Sequence, residues 1–186
     1  MNNHTDLISP MAAGQSPRRS ATHLRELFGQ IVLSDSMLNF NAGWGALILD
    51  SVEAAILESI SGSTSPGGVS ITRISRPQIG EHRPHEWIDH LVADNVAAVV
   101  VTAGDCATCT SRALRECILA EEAGIPATAV VPQGLSEIIH ATLRSWGRPD
   151  LRIATFETPL FALKRDDFPE VMQSTATAVI SILTSP

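Results

Sequence analysis

Tyrosine is absent from the 186 residues, and Phe and Trp alone bring aromatics to only 4%. Single-stranded nucleic acids are held largely by stacking on aromatic faces, so this scarcity argues against stacking platforms for bases or sugars. Positive charge is also short: 13 Lys and Arg stand against 20 Asp and Glu, a net charge of -7, and no stretch gathers basic residues into a stripe. A phosphate backbone is therefore a poor partner. No apolar run approaches the ~18 residues that a membrane span requires. The opening MNNHTDLISPMAAGQSPRRSATHL has no basic flank leading into an apolar stretch, so it does not read as a secretory signal. These absences lead us to expect a cytoplasmic protein with neither a nucleic-acid nor a membrane partner. Cysteine is sparse and odd in number, at three, which in such a chain points to reduced thiols rather than a disulfide framework.

The chain otherwise has an ordinary globular balance, 44% apolar and 18% charged, in a length that suits one domain. Residues 1–20 carry Asn, Ser, Gly, Pro and Arg without a period and read as a flexible lead-in, leaving 21–186 as a single α/β domain. Within it, short apolar runs alternate with amphipathic stretches, the pattern of a parallel sheet covered by helices. The runs are GALILD (45–50), VSITRIS (69–75), VAAVVVTAG (96–104), PATAVVP (126–132) and LRIATFE (151–157). Between them, helices are expected from Asp50 or Ser51 to Ile60, from Pro84 to Asn95, from just after the cysteines to Gly124, and from Leu135 to Trp146. A closing helix runs from Pro169 to Leu183. Five strands and five helices with short connections predict a doubly wound, flavodoxin-like sheet of order 2-1-3-4-5 with helices on both faces.

In such sheets ligands gather at the carboxyl ends of the strands, above all where the winding reverses, between strands one and three. Directly after the third run comes Gly104-Asp105-Cys106-Ala107-Thr108-Cys109-Thr110-Ser111. A thiol beside a helix N-terminus meets unpaired amides, which favour the nucleophilic thiolate. Gly104 permits a sharp exit, and Thr108, Thr110 or Ser111 can cap the helix. Asp105 has three readings: orienting a proton, opposing the thiolate by like charge, or capping the helix. Cys117 lies eight residues past Cys109, a helical span of about 12 Å against the ~7 Å that a disulfide tolerates between Cα atoms, and is expected in the core. Asp105, Thr108, Thr110 and Ser111 are also expected as substrate contacts, and the other strand ends and their adjoining helices offer Asp50, Ser51, His85 and Glu157 as further ones. Arg112 and Arg115 can hold an anion or simply face solvent.

The stretch AAVVVTAGDCATCTSRALRECILAEEAGIPATAVV resembles the core of the UGSC family, selenocysteine or cysteine relatives of the large subunit of glycine and betaine reductase component B. That family runs strand, Gly-Asp, selenocysteine or Cys, two small residues, Cys-Thr-Ser, helix, then Ala-Gly-Ile-Pro. On this resemblance Cys106 takes the selenocysteine position and Cys109 that of the second cysteine. GRPDLRIATFETPL resembles the family's Gly-x-Pro-Asp-Leu strand ending in Pro-His-Pro, and DLISPMA resembles its opening Leu-Asp-Pro-Thr. The family's glycine is replaced by Ala107 and its Pro-His-Pro by Glu157-Thr158-Pro159. The third cysteine of the reductase relatives is replaced by Ser111 or Arg112. The resemblance implies a selenium or thiol nucleophile in reductive cleavage of a carbon to nitrogen bond, with a carbonyl cofactor on another subunit. With these replacements, thiol nucleophile chemistry carries over and the substrate does not.

The expectation is a cysteine-dependent reductase or lyase, or the thiol-bearing subunit of one, with no cofactor of its own. Cys106 attacks a small electrophilic substrate, Cys109 resolves the adduct by forming a disulfide, and an external thiol reductant resets the pair. Partner chains are open between a second subunit and a homodimer. Two alternatives belong to other classes: a metal-binding or regulatory module using Cys106 and Cys109 with His82 and His85, and a non-catalytic subunit acting through its apolar faces. Against zinc, strand one separates strands two and three by about 10 Å, so the 76–84 loop would have to lean across. His82, His85 and His90 read more simply as helix-start and surface residues, as does His140. GWG at 43–45 precedes the first expected strand and so is not read as a phosphate loop, which must come after one.

Overall fold

The computed structural model describes residues 28–35, 44–61, 68–75, 84–157 and 159–184. Five parallel strands form one sheet in the order 2-1-3-4-5: β1 Gly29–Asp35, β2 Val69–Ser75, β3 Ala98–Thr102, β4 Ala127–Pro132 and β5 Ala154–Phe156. The helices are α1 Trp44–Ser61, α2 Pro84–Ala93, α3 Ala107–Glu122, α4 Ser136–Ser145 and α5 Phe168–Thr184. The architecture is α/β and flavodoxin-like, as the alternating runs predict.

Strand period assigns the two cores. Val32, Val99, Val101, Ala127, Ala129 and Val131 point to the face covered by α2, α3 and α4. Their alternates Ile31, Leu33, Ala98, Val100, Val130, Ala154 and Phe156 point to the face covered by α1 and α5. Both faces being dry, the central strands are apolar on successive residues, and β3 (AVVVT) is buried throughout.

The first strand is a correction. GALILD is not a strand but lies in α1, and the true β1 is GQIVLSD at Gly29–Asp35, upstream of that helix. A run of four apolar residues fits either structure, and the residues after it decide. Beyond Ala46-Leu47-Ile48-Leu49 the apolar positions continue at helical spacing through Val52 and Ile56, so Ile48, Leu49, Val52 and Ile56 bury one stripe against the sheet. GQIVLSD carries the β-branched pair Ile31-Val32 and stops at Asp35, and its two faces fill the two cores.

Three placements change with it. Asp50 and Ser51 do not stand at a strand end: they sit near the middle of α1, where Asp50 accepts from Arg73 Nη1 at 2.6 Å and Ser51 Oγ donates to the Leu47 carbonyl at 3.0 Å. Arg73 also bonds Glu53; burial works against its charge, but the two carboxylates outweigh that and hold the guanidinium above its ordinary range. GWG does not precede the first strand; it ends at Gly45 inside the first turn of α1, after β1. The expected lead-in at 1–20, the DLISPMA stretch and His82 lie outside the described residues.

The far end of α3 shows how the sequence stops a helix. Gly124 takes φ +87, its N–H bonds the Glu121 carbonyl at 3.0 Å, and the Ile125 N–H bonds the Ala120 carbonyl at 2.9 Å. That paired closure needs a left-handed residue, which glycine adopts without strain, and Pro126 then starts the path into β4.

Candidate active site around Cys106

The carboxyl end of β3 leads through Ala103 and Gly104 into a tight turn, in which the Cys106 N–H bonds the Gly104 carbonyl at 2.6 Å around Asp105. Cys106 then takes extended backbone angles, φ -140 and ψ 114, and becomes the N-cap of α3. Its sulfur accepts the Cys109 N–H at 3.2 Å. This corrects the expected cap: Thr108 is exposed, Thr110 is buried, and Ser111 Oγ meets Thr142 Oγ1 of α4 at 3.2 Å, so none of the three caps the helix. The sulfur itself does, which points it at the positive end of the helix dipole and at an orphan amide.

The two cysteines of the motif are not equivalent. Cys106 is partly exposed, whereas Cys109, three residues on in the first turn, is 3% exposed and belongs to the core under α3. Cys117 is 0% exposed in the same core, as its spacing predicts. All three are present as thiols.

Asp105 does not cap α3 either. Its Oδ2 accepts the Leu160 N–H at 2.7 Å, tying the cysteine turn to the 3-10 turn Leu160–Ala162 that comes after β5. The stretch ending GRPDLRIATFETPL and the cysteine stretch, far apart in sequence, thus meet at one edge. Asp105 Oδ1 is buried without a hydrogen-bond partner, and so is Thr110 Oγ1. A buried polar atom left unpaired costs about 1–3 kcal/mol, a loss usually tolerated where function needs the group.

Reasoning from sequence missed Asp35. As the last residue of β1, paired in register with Thr102, it stands on the same edge at the point where the winding reverses. A Cβ at Gly45 would meet the Asp35 carboxyl carbon at 2.7 Å, so the carboxylate rests against the first turn of α1. A negative charge is favoured at that position, and it also leaves the helix start unsuited to a phosphate. The signal was there in IVLSD, an apolar β-branched run closed by an acid.

The remaining candidates divide. Glu157 is exposed just past β5, and His85 is exposed in the first turn of α2, both on the carboxyl edge. Asp50 and Ser51 are held within α1 by Arg73 and by the Leu47 carbonyl, away from that edge. Arg112 Nε bonds the buried Glu116 at 3.0 Å, and Arg115 lies over the Trp146 ring at 4.9 Å, so both serve the packing of α3. Among the described residues, no three His, Cys, Asp or Glu side chains come together as a metal site. No helix of the described residues is long and apolar enough to cross a membrane.

A sequence model of the UGSC family matches residues 29–185, from the first residue of β1 to just past α5. The chain belongs to the UGSC family. The matched residues span the cysteine turn, α3 and the 3-10 turn that Asp105 holds. No curated protein shows a significant match to this UGSC protein.

Proposed function

We propose that this UGSC protein is a thiol-dependent enzyme, or the thiol-bearing subunit of one, acting on a small electrophilic substrate by reductive or lyase-type cleavage. The observation that carries the reading is Cys106 Sγ at the N-cap of α3, partly exposed, with the Cys109 amide directed at it. A partly exposed thiol set at a helix start beside an orphan amide is placed to act as a nucleophile.

In the reductive form, Cys106 sulfur attacks an electrophilic carbon and the leaving group departs with the bonding pair, leaving a thioether. The Cys109 thiolate then attacks the Cys106 sulfur; the carbon leaves with the sulfur–carbon pair and takes up a proton, and a Cys106–Cys109 disulfide remains. Two electrons have passed from the dithiol to the substrate, and an external thiol reductant restores them. The partly exposed sulfur suits attack and the buried one suits resolution. A further subunit or a second copy of the chain is part of the same proposal, as the component that would bring the substrate.

Mild oxidation followed by mass mapping tests the pair. The expected product is a Cys106–Cys109 bridge with Cys117 untouched, and Cys109→Ser is expected to stop with the adduct on Cys106. Full retention of activity in Cys106→Ser, towards an electrophile that the intact chain consumes, would overturn the mechanism.

A further inference from the structure

Asp105 has one oxygen committed and one idle. Oδ2 is held by the Leu160 amide at 2.7 Å, which fixes the plane and direction of the carboxyl group. Oδ1 is buried with no partner, immediately before Cys106 in the chain. No cation pairs with Asp105 among the described residues. The nearest basic residue along α3, Arg112, bonds Glu116 instead. A fixed carboxylate with a spare acceptor discriminates strongly between ligands that bring a hydrogen-bond donor and ligands that bring an anion.

Building on the thiol reading, we propose that Asp105 is the specificity-determining residue of the site. Its Oδ1 receives an N–H or O–H of the substrate beside the carbon that Cys106 attacks, and it excludes substrates carrying a negative charge there. The substrate class is thus a small neutral or cationic electrophile with a hydrogen-bond donor next to its reactive carbon. The Leu160 contact makes the selection rigid, because the carboxyl group cannot turn its idle oxygen away without giving up that bond.

Two alkylating probes of nearly equal size test this. Iodoacetamide brings an amide N–H and no charge, whereas iodoacetate brings a carboxylate. The rate ratio of the two at Cys106, measured by mass spectrometry, is expected to exceed the same ratio on N-acetylcysteine by roughly tenfold, the order expected for two like charges a few ångströms apart at a partly buried site. Asp105→Asn keeps an oxygen for the Leu160 amide and removes the charge, and should bring the ratio down to that of the free thiol. Glu122→Gln, the same charge change at the far end of α3, should leave it unaltered. A wild-type ratio equal to that of N-acetylcysteine would overturn the selection, and needs no variant to fold. Failure of the thiol reading is separate: Cys106 would then react with iodoacetamide no faster than the buried cysteines.

Discussion

The two edges of the sheet treat their buried carboxylates differently, although each edge leaves some polar atoms unpaired, Arg148 Nη1 at the amino edge among them. At the amino edge, Arg148 is 2% exposed and Glu121 4%, and each is bonded: Arg148 Nε donates to Asp150 at 3.1 Å, its Nη2 lies 3.9 Å from Glu121, and Glu121 Oε1 accepts the Ala127 N–H at 2.9 Å. That network fastens the end of α3 to the first residue of β4 and to the turn before β5. At the carboxyl edge, Asp105 Oδ1 and Thr110 Oγ1 are buried and unpaired, and a thiol stands where a Ser, Thr or Asp would normally cap the helix. One edge commits its carboxylates to holding the fold. The other withholds an acceptor, and ligands of doubly wound sheets bind at that carboxyl edge.

Removing a member of the amino-edge network should have the largest effect. Arg148→Ala takes a buried guanidinium from beside Glu121 and Asp150 and is expected to lower stability by about 3–5 kcal/mol in urea unfolding. Iodoacetamide labelling of Cys106 in the fraction still folded should not change. Loss of labelling in that folded fraction would mean that the edges are coupled rather than separate.

An intermediate effect is expected where α1 meets β1. Gly45→Ala drives a Cβ into the Asp35 carboxylate and should cost about 1–3 kcal/mol. Adding Asp35→Ala should recover part of that loss, because the colliding group is gone. A double variant no more stable than the sum of the single losses predicts would show that the contact is not the cause.

The smallest pair has opposite signs. Thr110→Val replaces an unpaired buried hydroxyl by a methyl of similar shape and should be neutral or stabilising by up to about 1 kcal/mol. Thr128→Val near the amino edge breaks the bond from Oγ1 to the Arg152 carbonyl at 3.3 Å and should cost about 1 kcal/mol. Equal effects of the same sign in thermal or urea melts would erase the contrast between the edges.

The strand order was readable because it depends on patterns that survive locally. VSITRIS is β2 residue for residue, and Gly124 with Pro126 marks the end of α3. The first strand was not, because GALILD and GQIVLSD offer similar short apolar runs and only the helical continuation after Leu49 separates them. That single misplacement put Asp50 and Ser51 on the edge and left Asp35 off it. Cys106 and Cys109 could be read from their spacing and their place after a buried strand. The cap by Cys106 sulfur and the Asp105 bond to Leu160 could not, since the first depends on the backbone turn at Gly104 and the second joins residues 55 apart in sequence.

The contrast between the edges rests finally on one thiol being set apart from two others. Alkylation of the folded protein with iodoacetamide at neutral pH, quenched over time and mapped by mass spectrometry, measures that directly. Cys106 should label first and faster than N-acetylcysteine, with Cys109 and Cys117 modified only as the chain unfolds. Labelling that begins at Cys117, or proceeds at one rate on all three, would contradict the account.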